Sequence, residues 1–261
     1  MTAPAPPRAT TKGATRVADV PPDVLADLHA GTRATRTLAE TLALDFAALL
    51  GAAFPALAGA ARAGIDPAAG VTRRMAQAAA VLRAGLGADA FAATAGHPSD
   101  VVRGWACYVA CAEAGPGLPD LLAALRPLAD DGHFAVREWV WLALRPHVAA
   151  DVPLALAELA PWTAETSANL RRFASEATRP RGVWCAHLGP LRRDPAPGLP
   201  LLEPLRADPS RYVQDSVANW LNDAAKEHPG WVTDLCTRWS ADSPGPYTAY
   251  IVKRACRSLP K

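Results

Sequence analysis

The sequence has few of the features that assign a protein to a class at first sight. Its 261 residues carry 27 basic and 25 acidic side chains, and a net charge of +2 is too small to indicate a nucleic-acid partner by itself. The five cysteines are odd in number and no apolar signal segment follows Met1, so we expect reduced thiols in a cytoplasmic protein. Any functional charge must therefore be sought in local segments.

Long apolar runs and metal-ligand clusters are scarce as well. The longest apolar stretch, residues 41–65, contains Asp45 and Arg62, which excludes a membrane-spanning helix there and argues against a membrane partner. Cys107 and Cys111 lie four residues apart on a predicted helix, but no second pair of ligands accompanies them. We therefore expect neither a metal site nor a cofactor.

What the chain does contain is a repeated helical pattern. An apolar anchor residue is followed by a polar residue and one further residue, and in the first three copies an aromatic residue comes next; the anchors lie 34 to 43 residues apart. Periods in this range indicate stacked helical pairs, because each unit leaves an apolar face that its neighbours bury. The copies are Val102-Arg-Gly-Trp105, Val136-Arg-Glu-Trp139, Leu170-Arg-Arg-Phe173, Val213-Gln-Asp-Ser216 and a degenerate Val252-Lys-Arg-Ala255.

This pattern predicts an all-α fold, a HEAT-like helical-repeat solenoid with a concave basic groove. Residues 1–18 lack apolar periodicity and are expected to form a disordered tail, whereas residues 19–261 form a single repeat domain that becomes regular from about His97. We expect a monomer. Apolar periodicity predicts helices over residues 22–29, 35–50, 71–86, 118–128 and 152–159.

One predicted helix has an unusual polar face. Residues 169–181 contain four arginines and one glutamate, and the apolar stripe of this helix leaves Arg172, Ser175, Glu176 and Arg179 on another face. A solvated face of salt bridges is one interpretation. The other is phosphate binding beside an acid, because Arg145, Arg179 and Asn222 each follow their anchor by nine residues and stacking would align them in one row facing a nucleic-acid backbone.

Two further groups of residues leave alternatives open. Asn219 and Asn222 interrupt a helix together with Asp223, and asparagine is a poor helix former, so the pair either bridges repeats or binds phosphate and orients Asp223. Trp139 occupies the aromatic position of its repeat and is predicted to be core. Trp141 and Trp220 are compatible with either the core or the groove, where a tryptophan stacks on a sugar or base.

Several of these segments together resemble the DNA alkylation repair glycosylases of the HEAT-like-repeat AlkC/AlkD group, and more closely its AlkC branch. The order and spacing of the segments carry the resemblance, which extends from about Pro22 to the C-terminus. The segments are Arg137-Glu-Trp139, Leu170-Arg-Arg-Phe-Ala-Ser-Glu-Ala-Thr-Arg-Pro-Arg181, Trp184, Ser216-Val-Ala-Asn-Trp-Leu-Asn-Asp223 and Lys226-Glu-His-Pro229.

The resemblance implies a monofunctional glycosylase that excises cationic N-alkylated bases such as 3-methyladenine from duplex DNA without base flipping, in base excision repair. A cationic base is already a good leaving group, so such an enzyme needs mainly to stabilise positive charge on the deoxyribose and to position water. The resemblance implies that Glu176 and Asp223, with Glu138 as a third acid, perform this catalysis. It implies DNA-binding roles for Trp141, Arg145, Arg172, Arg179, Arg181, Trp184, Asn219 and Asn222.

Two alternative functions belong to other classes. A noncatalytic HEAT-repeat scaffold would bind DNA or a protein through the same fold, since fold alone does not determine function. A hydrolase with Ser175 or Cys185 as nucleophile is disfavoured, because activation needs a positioned base and the nearest histidine, His187, falls in a predicted loop.

Overall fold

A computed structural model describes residues 12–112 and 115–259. Within these residues the chain forms α-helices and short 3-10 turns, and no strand. The first half contains α1 (Pro22–His29), α2 (Leu38–Ala43), α3 (Phe46–Ala53), α4 (Ala58–Gly64), α5 (Val71–Leu86), α6 (Ala90–Ala95), α7 (Asp100–Cys111) and α8 (Leu118–Ala129). The second contains α9 (Phe134–Ala150), α10 (Val152–Leu159), α11 (Ala168–Ala177), α12 (Gly189–Arg193), α13 (Leu199–Leu202), α14 (Arg211–Ala224), α15 (Pro229–Asp242) and α16 (Pro246–Ala255).

The helices that carry the repeated motif stack directly on one another. Helix α7 packs on α9, α9 on α11, α11 on α14, and α14 on α16. Helices α8, α10, α13 and α15 pack against them as the second members of the hairpins. The predicted all-α helical-repeat fold is therefore confirmed.

The predicted helices agree with the structure except at one place. Helices α1, α5 and α10 have the predicted bounds, and α8 ends one residue later than expected. The single helix predicted over residues 35–50 is wrong, because Leu44 is extended and Asp45 starts a new helix by accepting hydrogen bonds from the backbone N–H of Ala47 and Ala48. The first backbone N–H groups of a helix have no carbonyl partner within that helix, and an aspartate at the N-cap accepts hydrogen bonds from them.

Part of the predicted N-terminal tail lies outside the described residues, namely residues 1–11. The structure places the remainder, 12–18, beside α2, where the Thr37 hydroxyl donates to the Ala14 carbonyl at 2.5 Å. Val17–Asp19 form a 3-10 turn whose residues are exposed.

The recurring arginine of the motif has a structural role. In four successive repeats the residue after the anchor donates to the carbonyl six positions earlier, which closes the loop that leads into each motif helix. Two of these arginines also pair with an aspartate of the next repeat, Arg103 with Asp131 at 2.8 Å and Arg171 with Asp208 at 2.6 Å. Both pairs are largely shielded from water, so they link neighbouring repeats. The residues that close their loops are Arg103, Arg137, Arg171 and Gln214.

The aromatic position of the motif forms the core between the layers. Trp105, Trp139 and Phe173 are all buried, as predicted for Trp139. The corresponding residue of the fourth repeat is Ser216, which is equally buried although it is polar. This departure from the repeat occurs beside the charged residue Glu176.

Candidate active site

Three neighbouring motif helices bring the charged residues together. Helix α11 presents Arg172 and Glu176, and Arg179 follows directly after its end; α11 lies between α9, which carries Glu138, and α14, which carries Asp223. The three helices are adjacent only because the repeats stack, so residues up to 85 positions apart meet at one place.

The side chains alternate in charge along a continuous line, which we call the acid–arginine chain (Glu138, Arg172, Glu176, Arg179 and Asp223). Arg172 Nη1 lies 2.6 Å from Glu138 Oε1, and its Nη2 lies 3.5 Å from Glu176 Oε2. Arg179 bridges the two remaining acids, with Nη1 at 2.8 Å from Glu176 Oε1 and Nε at 2.9 Å from Asp223 Oδ2. Each arginine thus links two carboxylates.

Apart from Glu138, whose side chain is 34% exposed, the acid–arginine chain is not a solvated surface. The side chains of Glu176 and Asp223 are 4% and 7% exposed, and that of Arg179 is 14% exposed. The interpretation of this face as solvent-exposed salt bridges is therefore wrong. Charges removed from water interact more strongly than surface pairs, and each depends on its partners to remain ionised.

The net pKa shifts of Glu176 and Asp223 are opposite in direction. Burial raises the pKa of Glu176, but the positive charges of Arg172 and Arg179 and a hydrogen bond from Ser216 outweigh it, so the net pKa is lowered. Burial also raises the pKa of Asp223, and Arg179 and Lys226 only partly offset it, so the net pKa is raised. Two acids whose pKa values move apart are suited to different chemical roles.

Arg145 and Asn222 do not form the predicted row of phosphate donors. Arg145 is 2% exposed, and its guanidinium donates to the carbonyls of Ala177, Arg179 and Ala186 at 2.7–3.0 Å. Asn222 is buried and donates to the carbonyl of Ala255 at 2.9 Å. Both side chains therefore cap the end of the next motif helix, which satisfies carbonyls that have no partner within that helix. Neither offers its donors to a DNA backbone in this structure.

We expect Arg145→Met to destabilise the protein, because it leaves three carbonyls of the α11 terminus and the loop after it without their charged donor. The expected decrease in the free energy of unfolding is roughly 2–4 kcal/mol. Urea denaturation followed by circular dichroism measures it. The exposed Arg193 provides the control, since Arg193→Met should change stability by less than about 0.5 kcal/mol. Equal stability of both variants would show that the capping bonds contribute nothing.

Trp141 and Trp220 belong to the core. Trp141 is 4% exposed and donates from Nε1 to Glu138 Oε2 at 2.8 Å. Trp220 is fully buried and donates to the Thr178 carbonyl at 3.0 Å. The implied DNA contact of Trp141 is therefore not available in this structure, where the indole instead orients Glu138.

Arg181 and Asn219 lie near the acid–arginine chain but have protein partners. Arg181 pairs with Glu227 at 3.0 Å, and the same carboxylate also binds Arg192 of α12. The Asn219 side-chain oxygen accepts a hydrogen bond from Arg257 at 3.0 Å. The first contact ties the segment after α11 to the turn after α14, and the second ties α14 to the turn after α16. The side chains of Arg181 and Asn219 remain partly exposed.

Trp184 is the one tryptophan among the site residues that is exposed. It lies in the loop after α11 with 49% of its surface accessible, and its φ of 61° is rare for a residue with a side chain. The loop is held by Arg145, through the Arg179 and Ala186 carbonyls, and by a bond of 3.0 Å from the Leu188 N–H to the Pro180 carbonyl. A strained residue at a fixed loop is typical of a functional position.

An apolar cavity lies between this loop and α9. Its volume is about 230 Å³, and the exposed side chains at its edge are Leu38, Phe134, Val183 and Trp184. Glu138 also lines it, so the cavity borders one end of the acid–arginine chain. Exposed apolar side chains that cluster around an acid mark a binding surface.

Sequence reasoning missed two residues of this site. The Ser216 hydroxyl donates to Glu176 Oε2 at 2.7 Å, and the Tyr212 ring lies under the Arg172 guanidinium at 4.4 Å. Arg137 also contacts Tyr212, through a hydrogen bond of 3.2 Å to its hydroxyl. The signal for Ser216 was present, because it replaces the aromatic residue of the motif; Tyr212 precedes its anchor and had no distinguishing pattern.

Two general features of the described residues bear on function. No helix in the ranges 12–112 and 115–259 combines the length and apolar character needed to cross a membrane. In the same ranges, no group of three or more His, Cys, Asp and Glu side chains is placed to hold a metal ion.

The fold and the site together define a helical-repeat protein with buried, arginine-bridged carboxylates, and solved structures share this fold. The chain is similar to the Pseudomonas fluorescens alkylpurine DNA glycosylase AlkC bound to DNA containing an abasic site analog, with a TM-score of 0.64 and 28% identity over 82% of this chain and 60% of that one. The predicted resemblance is therefore confirmed: the structural neighbours are glycosylases of the AlkC and AlkD families.

Two Streptococcus mutans structures share the fold at lower identity. AlkD2 has a TM-score of 0.61 and 18% identity over 74% of this chain and 92% of its own. The protein smu.31 from strain UA159 has a TM-score of 0.60 and 19% identity over 72% of this chain and 92% of its own. The sequence identity to AlkC exceeds both values, in agreement with the predicted branch.

Sequence comparison adds one relative. The uncharacterized protein YhaZ of Bacillus subtilis (strain 168) is 40% identical over 119 residues, which are 46% of this chain and 33% of YhaZ. No protein-family model matches the chain. The chain thus spans about a third of YhaZ and 60% of the AlkC chain.

Proposed function

We propose that this protein is a monofunctional DNA glycosylase that removes cationic N-alkylated bases such as 3-methyladenine from duplex DNA without flipping the base. The observation that carries the proposal is the pair of carboxylates, Glu176 and Asp223, which one guanidinium bridges. The pKa of Glu176 is lowered and that of Asp223 is raised. The similarity to an alkylpurine DNA glycosylase bound to DNA supports it. The protein acts as a monomer and without a cofactor.

In the proposed reaction Glu176 is the permanent negative charge. Its lowered pKa keeps it ionised, so it stabilises the positive charge that develops on the deoxyribose as the glycosidic bond breaks. The bond electrons leave with the alkylated base, which becomes neutral. Because the base departs as a neutral molecule, its departure needs no general acid.

Asp223 is the proposed base. Its raised pKa gives it a higher proton affinity than an ordinary aspartate, while its contact with Arg179 keeps it oriented. The carboxylate accepts a proton from the attacking water as the water oxygen bonds to the sugar C1′. Glu138 acts on the reaction through Arg172, whose Nη1 lies 2.6 Å from Glu138 Oε1.

The test is release of free 3-methyladenine from methylated duplex DNA by the purified protein, together with the salt dependence of DNA affinity. We expect release, and an affinity that falls at least about tenfold between 50 and 200 mM salt because arginine–phosphate contacts release counterions. Salt-independent affinity would contradict a basic DNA-binding surface. Salt-dependent binding without release would instead establish a noncatalytic scaffold.

Trp184→Ala should lower excision by about tenfold without changing stability, because an exposed indole that packs on DNA contributes binding energy but no core packing. Single-turnover release and thermal unfolding measure the two effects. Tyr247, which is 45% exposed on α16, is the matched control, and Tyr247→Ala should leave release unchanged. Release by Trp184→Ala at the wild-type rate would remove this residue from the DNA-binding surface.

A further inference from the structure

Ser216 breaks the repeat at a position where the first three repeats are consistent. The residue three positions after the anchor is Trp105, Trp139 or Phe173 in the first three repeats, and each is buried in the core. In the fourth repeat the same position is Ser216, with 1% of its surface exposed. A small polar residue there gives up apolar packing, so a compensating interaction is expected.

The compensating interaction is a hydrogen bond to Glu176. Ser216 Oγ donates to Glu176 Oε2 at 2.7 Å, and Ser175 Oγ lies 2.8 Å from Ser216 Oγ as a donor. An ionised carboxylate has no hydrogen to give, so the hydroxyl of Ser216 must be the donor. Ser175 has a second acceptor, the Arg172 carbonyl at 3.0 Å, so its bond to Ser216 is the less essential of the two.

The two oxygens of Glu176 are held differently. Oε1 receives the Arg179 guanidinium at 2.8 Å, whereas Oε2 has Ser216 at 2.7 Å and Arg172 only at 3.5 Å. The separation of 3.5 Å from Arg172 is longer than a normal charge-assisted hydrogen bond. Ser216 is therefore the short-range donor that sets the rotation of the carboxylate about its last side-chain bond.

Charged and titratable groups surround Glu176 on every side. Its own helix supplies Arg172, and the segment after that helix supplies Arg179 and Cys185. Helix α9 supplies Arg145 and Glu138, and helix α14 supplies Asp223. All of these act at longer range than Ser216 except Arg179, which holds the other oxygen.

We propose that Ser216 is a positioning residue of the active site, whose hydroxyl fixes the orientation of the Glu176 carboxylate through Oε2. This inference rests on the proposed glycosylase function for its catalytic consequence. Its structural part, the control of Glu176 by Ser216, stands apart from the reaction and is tested separately.

The first experiment titrates the Glu176 side-chain carboxyl by carbon NMR in the DNA-free protein. Ser216→Ala removes a donor that favours the ionised form, so it should raise the pKa of Glu176 by about 1. Ser216→Thr keeps the hydroxyl and should restore the wild-type value. Ser175→Ala, which leaves the direct bond intact, should change the pKa by less than half as much.

The second experiment measures single-turnover release and DNA affinity separately. Ser216→Ala should release 3-methyladenine about tenfold more slowly with unchanged affinity, since the bond acts on the transition state and not on DNA binding. Ser216→Cys, with a weaker donor of similar size, should fall between alanine and wild type in both experiments and serves if the alanine protein does not fold.

An unchanged Glu176 titration in Ser216→Ala would overturn the proposal. So would a shifted titration combined with wild-type release, because positioning would then have no catalytic consequence. If the wild-type protein releases no base, the proposed function fails by itself, and the titration alone decides whether Ser216 controls Glu176.

Discussion

Asp223→Asn is expected to slow the release of alkylated bases by about 100-fold while DNA affinity stays within about twofold. Asparagine has nearly the shape of aspartate and retains an oxygen for the Arg179 Nε–H, so the site keeps its geometry. It cannot accept a proton from water or carry a negative charge, and losing one such transition-state partner typically costs two orders of magnitude.

Single-turnover release and fluorescence anisotropy separate the two quantities. Asp215→Asn on the same helix is the matched control, because that carboxylate binds the Tyr250 hydroxyl and Arg254 away from Arg179. It should release base at the wild-type rate. Wild-type release by Asp223→Asn would remove Asp223 from the mechanism and return the role of base to another residue.

The pH dependence of release follows from the raised pKa of Asp223. A base works only when deprotonated, so release should decline as pH falls, and the decline should begin above the pKa of an ordinary aspartate. Asp223→Asn should abolish this decline and leave a low rate of release that does not change over the same pH range.

The raised pKa of Asp223 also affects stability. Protonation of Asp223 favours the folded state, and this contribution is lost as pH rises through the pKa of the folded protein.

Glu176→Gln is expected to have the largest combined effect, on release and on stability. The substitution removes the charge that lies between Arg172 and Arg179, and we expect release to fall at least about 100-fold. Each arginine keeps a second carboxylate, Glu138 or Asp223, so the unfolding free energy should decrease by roughly 2–3 kcal/mol and not by the full cost of an isolated buried charge.

Stability as a function of pH provides a second measure of Glu176. Because its pKa is lowered in the folded protein, its ionised form stabilises the fold above the unfolded pKa, and this contribution is lost as pH falls through the folded value. In Glu176→Gln that component of acid destabilisation should be absent. Glu165→Gln, which breaks a half-exposed pair with Arg126, is the control and should cost less than about 1 kcal/mol. Equal losses in both variants would contradict a special role for Glu176.

Helix boundaries were predictable where local signals agreed. Helices α1, α5 and α10 follow from apolar periodicity and from proline or glycine at their ends, and both signals are local. The break between α2 and α3 was missed because the apolar periodicity continues across it. An N-cap at Asp45 competes with that periodicity and determines the outcome.

The roles of the polar site residues were only partly predictable. Arg145, Arg179 and Asn222 occupy equivalent repeat positions, and this equivalence is real, since Arg145 and Asn222 both bond to the end of the next motif helix. The sequence pattern identified the shared position but not where its side chain points. A side chain nine residues after the anchor faces the next repeat, and whether it meets a carbonyl, a carboxylate or solvent depends on atoms about 32 to 44 residues further along the chain.

The sequence by itself determined the repeat architecture, the buried aromatic residues and the resemblance to alkylation glycosylases, because these depend on periodicity and on the order of short segments. Only the tertiary structure decided that the polar face of α11 is buried between α9 and α14, that Trp141 supports Glu138, and that Ser216 holds Glu176. The physical reason is that burial and pKa are properties of a side chain's neighbours, and in a stacked repeat protein those neighbours come from adjacent repeats.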